Sequence, residues 1–201
     1  MTTVVRRFLL PLAVALSAAI GAGALSELPR TLITVLPGEL FAETIEGTAT
    51  ASDGDSLRIG NNRVRILGID APELAQSCGE SDEPTACGRA ARDHLARLID
   101  GRVVSCIVED RDRYDRLVAQ CAADGRDLGD AMVEAGMAVD YERYSHGFYA
   151  EAEARARAAG VGIWSDVFVD PEDWRARQRQ RGRWKRSVAR SAAINRTTGG
   201  E

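Results

Sequence analysis

Between residues 47 and 159 the apolar spacing switches repeatedly between the two-residue period of strands and the 3.6-residue period of helices, and this constrains the fold most. Residues 47–51 and 56–59 read as strands, with Gly60-Asn61-Asn62 as a hairpin turn. Residues 63–69 alternate, placing Val64, Ile66 and Gly68 on one face and Arg63, Arg65, Leu67 and Ile69 on the other. Residues 88–100 carry Ala91, Leu95, Leu98 and Ile99 at helical spacing before Gly101. Two further strands, 103–108 and 117–122, flank a highly charged connection, and helices follow over 127–135 and 148–159. Short strands in that number, interleaved with about three helices, predict a small α+β barrel with helical cover.

The 201 residues suffice for one domain with terminal extensions, and a 45% hydrophobic, 28% charged composition is that of a globular chain. Charge is unevenly distributed. Residues 47–173 hold 14 basic and 25 acidic groups, whereas residues 174–201 hold 9 and 1, so an acidic body carries a basic tail. Ahead of the body, Arg6 and Arg7 precede an uncharged run over residues 8–25 that ends in small residues. This fits a secretory signal peptide, and the run is also nearly long enough to remain as a membrane anchor. Either alternative predicts an extracytoplasmic protein, periplasmic, secreted or held at the membrane through residues 8–25. Residues 26–46, interrupted by Pro29 and Pro37-Gly38, read as a linker.

Four cysteines agree with export to an oxidising compartment, and the absence of a Cys-x-x-Cys pair disfavours zinc. Cys78 is expected to pair with Cys87 across a short loop and Cys106 with Cys121 across a hairpin, each stabilising by about 2–4 kcal/mol. His94 and His146 have no metal-ligand spacing to one another.

Carboxylates gather around one hairpin: Asp55 in Asp53-Gly54-Asp55-Ser56, then Asp70 and Glu73 in Ile69-Asp70-Ala71-Pro72-Glu73. Singly, such residues are ordinary turn formers. Together, with Asp55 opening one strand and Asp70 closing its neighbour, they reach a common edge, where hard oxygens suit calcium. An EF-hand is excluded, because its fifth and twelfth positions counted from Asp53 would be Leu57 and Val64.

These motifs, joined by Arg65-Ile66-Leu67-Gly68, Cys87-Gly88-Arg89-Ala90-Ala91, Asp112-Arg113-Tyr114-Asp115-Arg116, Gly136-Met137-Ala138 and Gly162-Ile163-Trp164-Ser165, resemble the staphylococcal nuclease (thermonuclease) family over about residues 47–165. The resemblance implies a five-stranded OB-fold barrel and a nuclease, a calcium-dependent phosphodiesterase hydrolysing DNA and RNA to 3'-phosphates. It implies Ca2+ held by the carboxylates of Asp55 and Asp70 and the main-chain carbonyl of Ala71, where the family often has Thr. Glu73 would be the general base or orient the attacking water. Arg65 and Arg116 would grip the scissile phosphate, and Arg113, Tyr114 and Tyr141 would hold the nucleotide.

One departure is Asp115, where the family commonly has Gly; Asp tolerates a positive φ, but its charge could oppose phosphate binding by Arg116 if it points inward. A second is the altered loop over 74–85. The expected organisation is therefore an export segment (1–25), a linker (26–46), an OB-fold domain (47–173) and a basic tail (174–201), in a monomer. The contrasting possibility is a non-catalytic OB-fold module that binds nucleic acid or protein. The tail mixes Arg with Trp174 and Trp184, which suits nucleic acid or lipid headgroups as well as a merely solvated helix.

Overall fold

A computed structural model describes residues 43–79 and 84–198, with side chains up to residue 190. The expected export segment, residues 26–42 of the expected linker and residues 80–83 lie outside the described residues.

The first strand, β1 (Thr44–Ala51), turns through Asp53-Gly54-Asp55 into β2 (Ser56–Ile59), which forms a hairpin with β3 (Asn62–Ile66). β1 begins three residues earlier than expected and takes in Thr44, Ile45 and Glu46. A Glu and a Thr around one Ile hid this part of the strand. Its partner supplies the reason it forms, since Thr44 to Thr48 pair with Ile107 to Val103. The next element, β4 (Ile69–Asp70), is separate from β3. Gly68, at a φ of 77°, breaks the expected continuous strand and sends Asp70 onto a different ladder.

Helix α1 (Cys87–Ile99) buries Ala91, Leu95 and Ile99. The long strand β5 (Val103–Arg111) then pairs antiparallel with β6 (Leu117–Ala123). β1, β2, β3, β6 and β5 form a closed ring, because β3 also lies parallel to β6 from Val64↔Leu117 to Ile66↔Ala119. This closed five-strand barrel leaves no open edge within the ring. Leu57, Val64, Ile66, Val104, Leu117 and Ala119 belong to its core. Cys106 and Cys121 face each other across the β5/β6 ladder and are bonded, as are Cys78 and Cys87.

A short β7 (Arg126–Asp127) leads into α2 (Leu128–Glu134), capped by the Asp127 carboxylate. β8 (Val139–Asp140) pairs with β4, and α3 (Glu142–Ser145) and α4 (Ala150–Ala159) follow, then a 3-10 turn (Gly162–Ser165) and α5 (Pro171–Thr198). The structure thus adds α3 and α5 to the three helices expected from periodicity. α5 was an alternative for the tail and not a helix read from periodicity, because its sequence is strongly basic and has no apolar stripe.

Gly88, in the first turn of α1, lies directly against the loop that carries Glu73. A Cβ there would overlap the Glu73 carbonyl oxygen and stand 2.6 Å from its carbon. Gly88→Ala is therefore expected to lower unfolding free energy by about 1–3 kcal/mol, measured by denaturant titration, because backbone must move to admit the methyl.

Candidate active site

The site is organised by burial of two carboxylates. Asp55 is 5% exposed and Asp70 1% exposed. Two ions so deep need compensating charge and hydrogen bonds. Arg65, on β3, supplies the charge: Nη1 pairs with Asp55 Oδ2, and Nη2 lies 3.0 Å from Asp70 Oδ1 while also donating to the Ile69 carbonyl. Asp55 Oδ2 accepts the Ala71 N–H at 3.0 Å, and Oδ1 accepts the Ser56 hydroxyl at 3.1 Å. Burial alone would raise the Asp55 pKa, but Arg65 and the Ala71 N–H hold it below the usual carboxylate range.

The expected edge arrangement is thus replaced by a different geometry. Asp55 precedes β2 as expected, whereas Asp70 sits in β4 opposite Val139 and meets Asp55 through Arg65. Ala71, whose carbonyl the resemblance implies as a ligand, donates its N–H to Asp55.

Glu73 follows in a loop held by a buried amide. Gln76, 1% exposed, accepts the Glu73 N–H through Oε1, and its Nε2 donates to the Val169 carbonyl at 2.6 Å. The Gln76 carbonyl accepts the Gly88 N–H, and the Cys78–Cys87 bond fastens the far side to α1. This loop is pinned to both α1 and the segment that enters α5.

Arg116 lies just before β6, at the end of the β5–β6 loop. Asp112 orients it, accepting the Arg116 N–H at 3.0 Å and Nε at 2.8 Å. Burial raises the Asp112 pKa, but hydrogen bonds from Arg116 and from the Tyr114 N–H outweigh it and hold the carboxyl below its ordinary value. Arg116 Nη1 then reaches the Ser56 hydroxyl at 3.3 Å, and this hydroxyl bonds to Asp55. A single Ser therefore links the second arginine to the buried acid. Asp115 adopts a φ of 62° and pairs with Arg111 at 2.9 Å, so its carboxylate is engaged by a different arginine from Arg116.

The nucleotide-holding candidates divide into two groups. Arg113 and Tyr114 sit on the β5–β6 loop with Arg116; Tyr114 is 57% exposed, and the Arg113 and Arg116 guanidinium carbons stand 4.8 and 5.8 Å from its ring centre. Tyr141 stands at the start of α3, edge-on to Tyr144. Burial raises its pKa, with the charges of Glu172 and Asp70 adding to the effect.

Sequence reasoning gave no role to four residues that the fold brings in. Ser56 and Gln76 are described above. Asp53 accepts the Asp55 N–H at 3.1 Å, and burial, reinforced by the charge of Asp55, pushes its carboxyl up to about 6. The period-two spacing from Asp53 to Asp55 was the available signal. Arg175, on α5, donates Nη1 to Asp70 Oδ1 at 2.9 Å and to Glu73 Oε1 at 3.0 Å, and Nη2 to Asp70 Oδ2 at 2.7 Å. It lies 102 residues from Glu73, so no local pattern announces it.

Comparison with known proteins gives this arrangement a family. Staphylococcal nuclease homologues match residues 63–166, which include Arg65, Asp70, Glu73 and Arg116. The chain belongs to the staphylococcal nuclease family. A succinoglycan biosynthesis protein of Rhizobium meliloti (strain 1021) is 40% identical over 144 residues, covering 67% of this chain and 75% of that protein. An uncharacterized endonuclease of Haemophilus influenzae is 33% identical over 135 residues, 64% of this chain and 71% of its own. A probable endonuclease of Phaeosphaeria nodorum is 38% identical over 128 residues, covering 57% of this chain and 42% of that one. Within this staphylococcal nuclease barrel, the carboxylates and the two arginines of the shared region come from β3, β4 and its loop, and the end of the β5–β6 loop, while Asp55 comes from the β1–β2 turn ahead of that region.

The raised pKa of Asp53 fixes a pH dependence. Its proton favours the folded state below the ordinary carboxylate range, and that contribution is lost as pH rises through about 6. In chelator, thermal unfolding of Asp53→Asn is expected to vary less than wild type between about pH 5 and 7. Parallel curves would show that the shift does not exist.

Proposed function

We propose that this protein is an exported, calcium-dependent nuclease that hydrolyses phosphodiester bonds in DNA and RNA and leaves 3'-phosphate ends. The observation that carries this reading is the convergence of Asp55, Asp70, Glu73, Arg65 and Arg116 in the geometry above, on a barrel of the staphylococcal nuclease family. The endonuclease names of relatives support the same activity. The two disulfides and the apolar run over residues 8–25 support export, by cleavage of that run or with it kept as an anchor.

The donor chemistry fits a hard divalent cation. Asp53, Asp55 and Asp70 offer only carboxylate oxygens, the donors such an ion prefers. Among the described residues no three His, Cys, Asp or Glu side chains are grouped to enclose a metal, and guanidiniums lie on Asp55 and Asp70. Asp55 and Asp70 would hold the ion, with Asp53 beside them and the Ala71 carbonyl as the main-chain contribution. Bound there, calcium would polarise a phosphate oxygen and lower the pKa of a water.

The chain's own groups divide the remaining work. Glu73, partly exposed and reachable by solvent, takes the proton of the attacking water. Arg116, oriented by Asp112, meets the phosphate and stabilises the negative charge that grows on it. Arg65, which pairs with both buried acids, would also grip the phosphate. Arg113 and Tyr114 offer a cation and a stacking ring to the adjoining nucleotide.

Plasmid nicking should proceed in calcium and stop in chelator, and Glu73→Gln should slow it by about 10²–10⁴-fold. Labelling of the product ends tests the 3'-phosphate. Wild-type cleavage no faster than that of the Glu73 variant would favour a non-catalytic OB-fold module. Because Arg175 lies on both oxygens of Asp70, it competes with the cation. Calorimetric titration is expected to show calcium binding about tenfold tighter in Arg175→Gln than in wild type, roughly the worth of one charge-assisted hydrogen bond.

A further inference from the structure

α5 leaves the body of the protein with an arrangement of charge that the site residues do not account for. It runs for 28 residues, and Arg175 anchors it at Asp70 and Glu73. Beyond Arg175 the side chains up to Arg190 are exposed, apart from half-buried Gly182, so the helix is an arm with no packed face. At about 100° per residue, Arg175, Arg179, Arg183, Arg186 and Arg190 fall within an arc of about 80° and form one stripe. Arg177, Arg181 and Lys185 add charge on another side. Among the described residues, the ion pairs of α5 are those of Arg175; no acidic side chain meets Arg179, Arg183, Arg186 or Arg190.

Such a helix is electrostatically incomplete. Like charges four residues apart oppose each other by a few tenths of a kcal/mol per pair, and here 175/179, 179/183 and 186/190 are all cationic. A polar helix without a packed face is ordinarily held by pairs of opposite charge along it, and among the described residues α5 has none.

We infer that the arginine stripe of α5 is a track for the backbone of a nucleic-acid strand that continues out of the candidate active site. This rests on the nuclease reading. The stripe starts at Arg175, which touches the candidate catalytic carboxylates, so it begins at the site itself. Arg179 to Arg190 spans about 16 Å, the length of roughly five stacked nucleotides. Eight of the nine cations after residue 173 are Arg, whose planar fork fits phosphate oxygens better than an ammonium does. The acidic body cannot supply this attraction itself. A lipid surface fits less well, because the exposed large apolar residues of α5 are Trp184 and Val188, beside Arg177 and Arg181 on the helix, too few for an apolar face.

The test is a variant that leaves Arg175 and the site intact, R179Q/R183Q/R186Q/R190Q, with Gln keeping helix propensity. Fluorescence anisotropy of a labelled 30-nucleotide single strand is measured in chelator across a salt series. The slope of log affinity against log salt should fall by about 3, the release expected for four phosphate contacts on a single strand. In calcium, the KM for the long strand should rise while hydrolysis of a dinucleotide, too short to leave the site, stays unchanged. An unchanged salt slope overturns the inference, as does equal loss on the dinucleotide. It is likewise overturned if the variant loses binding to phosphatidylserine vesicles while strand affinity persists. If wild type cleaves neither substrate, the nuclease reading fails, and the salt slope still decides the role of α5.

Discussion

Two carboxylates excluded from water side by side need a cation built in between them. In this barrel that cation is Arg65, which reaches Asp55 with one nitrogen and Asp70 with the other. The closed ring makes this possible: β3 is paired on both sides, with β2 and with β6, so the backbone of Arg65 has no freedom to retreat. Removing one partner of such a buried group is far costlier than losing a surface ion pair. Site and fold are therefore not separable here, because the charge arrangement that serves the chemistry also holds the β2–β3 hairpin to β4.

Around that pair the structure applies the same device repeatedly, with small polar groups fixing larger charged ones. Asp112 orients Arg116, Ser56 relays it to Asp55, and Gln76 stitches the Glu73 loop to the approach of α5. Each of these residues sets direction, while the reacting groups stay open to solvent on one side. Asp115 shows the point in reverse. Its position beside Arg116 in sequence suggested interference, but at a positive φ its carboxylate is engaged by Arg111.

α5 introduces a second guanidinium to Asp70 and Glu73, and its position gives the acidic body a basic extension at the place where an anionic substrate would enter. The charge asymmetry between residues 47–173 and 174–201 was plain from counting. Its meaning depended on where the helix begins, and that is set by Gln76 and the Val169 carbonyl.

The five barrel strands, α1, α2 and α4 were legible because each buries one face, and burial writes a period into the sequence; the two-residue strands β4, β7 and β8 are too short to carry one. The Asp55, Asp70, Glu73, Arg65 and Arg116 set was legible because its members lie in short motifs. Three kinds of feature were not. β1 reached back to Thr44 because pairing with β5 stabilises residues that have little strand character of their own. Asp70 moved to a ladder with Val139 because Gly68 turned the chain. Arg175 entered the site from 102 residues away, through contacts that depend on the path of the chain around the barrel. Sequence by itself determined the residue types, their local periodicity and the sign of charge along the chain, since these are carried by neighbours. Only the tertiary structure decided which guanidinium neutralises which carboxylate, because such pairing is a matter of distance in space and burial, and neither is written in the order of residues.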